Sequence, residues 1–263
     1  MTAAVTRHFF EIGEVNLEVL VQGKGPLVVM VPSLGRPAED FNHLSNALAN
    51  GGYCALRPQP RGIGASRGPM RGLTLHDFAN DMSFVIDAYA RQAVMVGHAF
   101  GNFVARVTAA DYPHLVNAVV LLAATHTWPL RPDLRDSINK SHQIDLPEDV
   151  RLKHLQHVFF APGNDARVWL DGWREDVMHM EREATETTPK PEWWTAGTAP
   201  VLDVLPECDP LSPPESRGAY VEEFGAHRVT TALIPNAAHA LLPEQPEAVA
   251  KAVLDYLKKI NHA

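Results

Sequence analysis

The chain has 263 residues, 46% hydrophobic and 21% charged, with a formal net charge of −8. That is enough apolar material for one large α/β core with room for an inserted subdomain, and it excludes disorder over most of the length. The acidic balance gives no footprint for nucleic acid, and the two cysteines, Cys54 and Cys208, lie too far apart for a CxxC pair, a disulfide framework or a zinc ribbon.

MTAAVTRHFFEIGEV opens the chain without a basic stretch followed by a long apolar core, and no run reaches the ~18 apolar residues that span a bilayer. The expectation is a soluble, cytoplasmic protein with no membrane partner; monomer and homodimer stay open. HFFEIGEVNLEVLVQGKGP reads as a hairpin, and LVVMVPS as a strand covered on both faces. Helical and strand patterns then alternate: a helix around AEDFNHLSNALAN, the strand YCALRPQP, a helix around TLHDFANDMSFVIDAY, the strand QAVMVGH, a helix from FGNFVARVTAADY and the strand LVNAVVLLAA. Such alternation specifies right-handed crossovers and a mostly parallel sheet with helices on both faces.

From residue 125 the alternation stops. PEDVRLKHLQHVFF and DARVWLDGWREDVMHM read as helices separated by Ala161-Pro162-Gly163-Asn164. A helical cap over residues 125–198, inserted in a core made of residues 1–124 and 199–263, explains this better than a very long loop. The alternation resumes with APVLDVLPECD, a helix through PPESRGAYVEEFG, the strand RVTTALIPN and a last helix, PEAVAKAVLDYLKK.

Gly97-His98-Ala99-Phe100-Gly101 lies between a strand and a helix and matches G-x-S-x-G except at its centre. A tight strand-to-helix turn strains the central residue and crowds the positions two before and two after it, where only small residues fit. The helix that follows points the Phe100 N–H toward an anion formed above residue 99. A G-x-x-x-G pair alone also suits helix packing or a simple turn, so its weight comes from two further residues. Asp209, after the strand that follows the expected cap, stands in a loop stiffened by Pro206, Pro210, Pro213 and Pro214 and can orient a histidine; as a helix cap it would do nothing chemical. His239, between the last strand and the last helix, is set apart from the other histidines by that position. The order 99, 209, 239 is that of nucleophile, acid and base in one fold and differs from the chymotrypsin and subtilisin orders.

With these motifs in place, the chain resembles the α/β-hydrolase fold family, in its capped esterase, lactonase and carbon–carbon hydrolase branch. PRGIGASRG, residues 60–68, is similar to that branch's G-x-G-x-S segment, and HALLPEQPEAVAKAVLDYL to its terminal histidine loop and helix. The resemblance implies a twisted sheet of about eight strands, a Ser-Asp-His triad without metal or cofactor, and a small hydrophobic substrate. It implies amides of Phe100 and Leu34 as the oxyanion hole, Leu34 by position only, because Pro32-Ser33-Leu34-Gly35 stands where relatives commonly carry His-Gly. Ser33 is either a further hydroxyl donor at the substrate or a turn cap. Gln59 replaces a common aspartate.

Ala99 is the departure that matters most, since alanine cannot attack a carbonyl. Either a serine has been replaced, or this is a member that lost or never used the nucleophile; Gly97, Gly101, Asp209 and His239, all in a form suited to serine, favour the first. Trp128, Trp169, Trp173, Trp193 and Trp194 fall in the cap and are read as candidates for an apolar pocket roof or for packing the cap on the core. His154 and His157 share a helix face with no third ligand in view, so no metal site is expected.

Overall fold

The computed structural model describes residues 3–89, 91–125 and 130–261. Strands β1 (Val5–Ile12) and β2 (Val15–Gly23) form the opening hairpin, with Ile12 opposite Val15. Strand β3 (Leu27–Val31) follows, then a 3-10 turn at Ala38–Phe41, α1 (Asn42–Asn50) and β4 (Cys54–Pro58). Helix α2 (Leu75–Asp87) starts on a capping box formed by Thr74 and Asp77 and leads to β5 (Ala93–His98), α3 (Phe100–Asp111) and β6 (Val116–Leu122).

The eight strands make one sheet in the order β1-β2-β4-β3-β5-β6-β7-β8, antiparallel through β1, β2 and β4 and parallel beyond. The last two are β7 (Val201–Pro206) and β8 (Val229–Ile234). Strands β3, β4, β5 and β7 are buried along their whole length; β3 and most of β5 read as unbroken apolar runs, while β4 and β7 each carry one buried charged residue, Arg57 and Asp203. Leu44 and Leu48 of α1 share one hydrophobic cluster with Val249, Val253 and Leu257 near the C-terminus, while α2 and α3 contribute Phe78, Met82, Val104 and Val107 to the cluster on the opposite face.

Between β6 and β7 the described residues form only helices: α4 (Pro132–Ser141), α5 (Glu148–Phe159), a 3-10 turn at Ala166–Trp169, α6 (Glu175–Thr187) and α7 (Lys190–Trp193). Here the structure departs from the single helix expected over DARVWLDGWREDVMHM. Gly172 takes φ +90°, the Asp171 carbonyl accepts from Arg36 Nη1 at 2.6 Å, and the Arg174 N–H donates to the Gly35 carbonyl at 3.1 Å. Tertiary hydrogen bonds thus claim backbone groups that a continuous helix would need. The helix expected through PPESRGAYVEEFG is likewise split, into a 3-10 turn at Pro214–Ser216 and α8 (Ala219–Phe224), by Gly218 at φ +92°. Residues after β8 form α9 (Leu241–Glu244) and α10 (Pro246–Asn261). No helix among the described residues is long and apolar enough to cross a membrane.

Register aligns Val31 with Gly97, His98 with Leu122, Leu122 with Val204 and Pro206 with Ile234. The loops that leave β3, β5, β7 and β8 therefore emerge along one edge of the sheet, the edge where open parallel sheets place their ligands.

Candidate active site

Ala99 is the single residue between β5 and α3, at φ 48° and ψ −109°. The turn is as tight as the motif requires. A Cβ built on Gly97 would lie 2.2 Å from the Gly101 carbonyl oxygen, and one built on Gly101 would lie 2.1 Å from that of Val31. The Ala99 N–H donates to the Leu122 carbonyl at 3.1 Å, and Asn102 Nδ2 reaches the same carbonyl at 3.0 Å, so the end of β6 fixes the apex. The first N–H groups of α3, that of Phe100 among them, have no acceptor within the helix.

Asp209 and His239 meet. Asp209 Oδ2 accepts from His239 Nδ1 at 2.9 Å, Asp209 Oδ1 accepts from the Leu211 N–H at 2.9 Å, and the two side chains belong to residues only 2% and 4% exposed. Their loops are sewn together: the Cys208 N–H donates to the Ala237 carbonyl at 2.7 Å and the Asn236 N–H to Glu207 Oε2 at 3.0 Å. The His239 carbonyl accepts from His98 Nε2 at 2.8 Å, which ties the histidine loop to the strand beneath the apex. Burial, with the neighbouring His239 next, depresses His98 to a pKa of about 3. It is neutral, with the proton on Nε2. With Nδ1–H of His239 given to Asp209, Nε2 is the nitrogen left for chemistry. A carboxylate in this place fixes the tautomer of an imidazole and stabilises its protonated form.

The loop after β3 is held from the other side. The Gly35 N–H donates to Glu181 Oε2 at 2.7 Å, and burial pushes the Glu181 carboxyl well above the usual carboxylate range, the Gly35 N–H opposing. Arg36 makes a bidentate pair with Asp40, at 2.9 Å on both arms, and its guanidinium carbon sits 4.9 and 4.8 Å from the Trp169 and Trp173 ring centres. Glu181 is a residue that the sequence does not single out: on α6 it looks like any glutamate of a surface helix.

Ser33, Leu34, Ala99, Phe100 and His239 all border one cavity of about 360 Å³. Its apolar wall includes Phe103, Phe159 and Trp173. The tryptophans divide. Trp173 lines the cavity, whereas Trp169 packs beneath it against Phe159, Phe160 and His98. Trp193 packs edge-on against the wall residue Phe103, and Trp194 donates to Glu223 and packs on Tyr220; neither lines the cavity. Trp128 lies outside the described residues. His154 is hydrogen-bonded to Ser137 at 3.1 Å and His157 faces Asp133 at 3.6 Å.

A sequence profile of the Alpha/beta hydrolase family matches residues 28–252. Pyrrolizixenacetamide deacetylase of Xenorhabdus hominickii is 34% identical over 118 residues, 43% of this chain and 43% of that protein. 2-(Acetamidomethylene)succinate hydrolase of Mesorhizobium japonicum is 32% identical over 116 residues, 44% of this chain and 41% of that protein. The matches span about two fifths of these relatives' length. Among solved structures, E-2-(acetamidomethylene)succinate hydrolase superposes with a TM-score of 0.78 at 22% identity, over 97% of this chain and 100% of the other. At that identity the likeness speaks for the fold.

Proposed function

This chain belongs to the alpha/beta hydrolase family, and on that footing we propose that its site is a serine-hydrolase-type centre for an ester or lactone bond of a small, largely apolar molecule, with residue 99 in the nucleophile's place. Amide and carbon–carbon bonds answer to the same apparatus. His239 Nε2 is the base and later the acid, Asp209 its orienting carboxylate, and the Phe100 and Leu34 amides the oxyanion donors. Residues 125–198 serve as the cap, with Trp173 in the pocket roof. Relatives named a deacetylase and a hydrolase support hydrolysis as the reaction class.

One observation carries this reading: Ala99 is held at φ 48° on the wall of a cavity shared with a histidine that is hydrogen-bonded to a buried aspartate. A strained non-glycine residue costs on the order of 1–3 kcal/mol, and a pocket that merely binds has no use for it. With alanine there, the chain binds and orients a substrate without forming an acyl-enzyme; loss of the serine in such a triad costs roughly a millionfold in kcat. Replacing Ala99→Ser and assaying aryl esters and lactones tests the proposal: hydrolysis should rise at least about a thousandfold over the unaltered chain.

The alanine itself favours a second reading, in which His239 and Asp209 act directly on a bound substrate or water, as in a cofactor-free lyase or oxygenase, or the site only binds. Turnover by the unaltered chain that is lost in His239→Ala and unchanged in Ala99→Ser would select the catalytic form of it. Tight binding with no turnover by either protein would select the other.

A further inference from the structure

The cavity wall beneath α4 and α6 has a chemistry that bond cleavage does not use. Arg135, exposed at the rim, and Arg182, half-buried, both line it, together with Asn139. Arg182 Nη2 donates to Asn139 Oδ1 at 3.3 Å, and among the described residues the Arg135 side chain has no hydrogen-bond or ion-pair partner. Among the described residues neither guanidinium has a carboxylate within ion-pair distance. Burial lowers the Arg182 pKa, Glu186 one helical turn on opposes this, and the Arg135 charge adds to the lowering. The two cations therefore feel each other in a space also walled by Leu130 and Ile138.

Two like charges on an apolar wall repel each other, the more so where one is half-buried, and an anion between them relieves that repulsion. On a chain of net charge −8 the arrangement stands out further. Glu186 is on the same wall, which leaves it a formal charge of +1 and suits a monoanion better than a phosphate dianion. Guanidinium forks and a carboxamide N–H are the donors that match the two oxygens of a carboxylate.

We propose that Arg135, Arg182 and Asn139 form a recognition subsite for a carboxylate carried by the substrate. The molecule processed is then an apolar acid, its scissile bond at the wall of Ala99 and His239 and its carboxylate under α4 and α6. The position of the scissile bond rests on the hydrolytic reading; the binding of the carboxylate does not.

Calorimetry on the unaltered chain tests this with 4-phenylbutyrate and its neutral isostere, 4-phenylbutyramide. The carboxylate should bind at least about tenfold more tightly, and the preference should shrink as salt rises from about 50 to 300 mM. In the double variant Arg135→Gln, Arg182→Gln, checked for fold by circular dichroism, the preference should fall to within about twofold. If that variant does not fold, the ligand pair and the salt series on the unaltered chain decide. Equal or tighter binding of the amide, no binding of either ligand up to about 5 mM, or a preference that survives both substitutions overturns the subsite. A carboxylate preference in a protein whose Ala99→Ser form hydrolyses nothing would keep the subsite and remove the hydrolytic reading. Hydrolysis without the preference would do the reverse.

Discussion

An alanine at φ 48°, ψ −109° holds a backbone conformation that L residues avoid and glycine does not. Ala99→Gly should therefore raise the unfolding free energy by about 1 kcal/mol in urea; a loss of stability would mean that the apex is not strained. His98, buried below that apex, gives a second residue-level test. The unfolded chain takes up a proton near the ordinary histidine value of 6.5, while the folded chain refuses it down to about 3. The stabilisation from neutral His98 is full above the unfolded value and is lost as pH falls toward the folded one. Between pH 6.5 and 5 the stability margin of the unaltered chain over His98→Gln should shrink by about 2 kcal/mol. Using the difference removes the opposite effect of Glu181, whose raised pKa favours the folded state on acidification. Residues 99, 209 and 239 were legible because each is a chemistry-bearing type, or its conspicuous absence, at the end of a strand. Glu181, Arg135 and Arg182 were not, because a charged residue on an amphipathic helix carries no mark of whether it faces water or a cavity.

At the level of elements, the turn between β5 and α3 and the grip of α6 on the loop after β3 decide whether the site keeps its shape. Gly101→Ala would drive a methyl group into the Val31 backbone and should cost at least about 3 kcal/mol or prevent folding. Glu181 tests the grip. In the Ala99→Ser background, Glu181→Gln keeps an acceptor for the Gly35 N–H without burying an ionisable group, so stability and kcat should hold. Glu181→Leu leaves that buried N–H unpaired, at about 1–3 kcal/mol, and should lower kcat at least about tenfold with KM little changed. Equal kcat in the two variants would show that the grip does not position the loop. The sequence signals for β3 and β5 are strong because strands buried on both faces read as short continuous apolar runs. The break between Trp169 and Glu175 was hidden, since it depends on Arg36 and Gly35, residues remote in the chain. Helix α4 carries little signal in the sequence: most of PDLRDSINKS is polar, and only Leu134, Ser137 and Ser141 are buried.

Over the whole molecule, the alternation of strands and helices specified the sheet and its parallel crossovers, and with them the common edge from which the loops after β3, β5, β7 and β8 emerge. What alternation does not encode is how the helices between β6 and β7 lie over that edge; their contacts there are made by side chains such as Trp173, Met178 and Arg182 that have no periodic signature. The cavity between the two layers is where every proposed role converges. A fluorophosphonate probe reads that convergence in one step, since it labels only a hydroxyl activated by a nearby base and backed by oxyanion donors. Intact-protein mass measurement of the folded Ala99→Ser variant should find one adduct per chain, mapping to residue 99 and slowed at least about a hundredfold when His239→Ala is added. A folded variant that takes up no probe, or takes it up as fast without His239, would contradict a hydrolytic centre at this site.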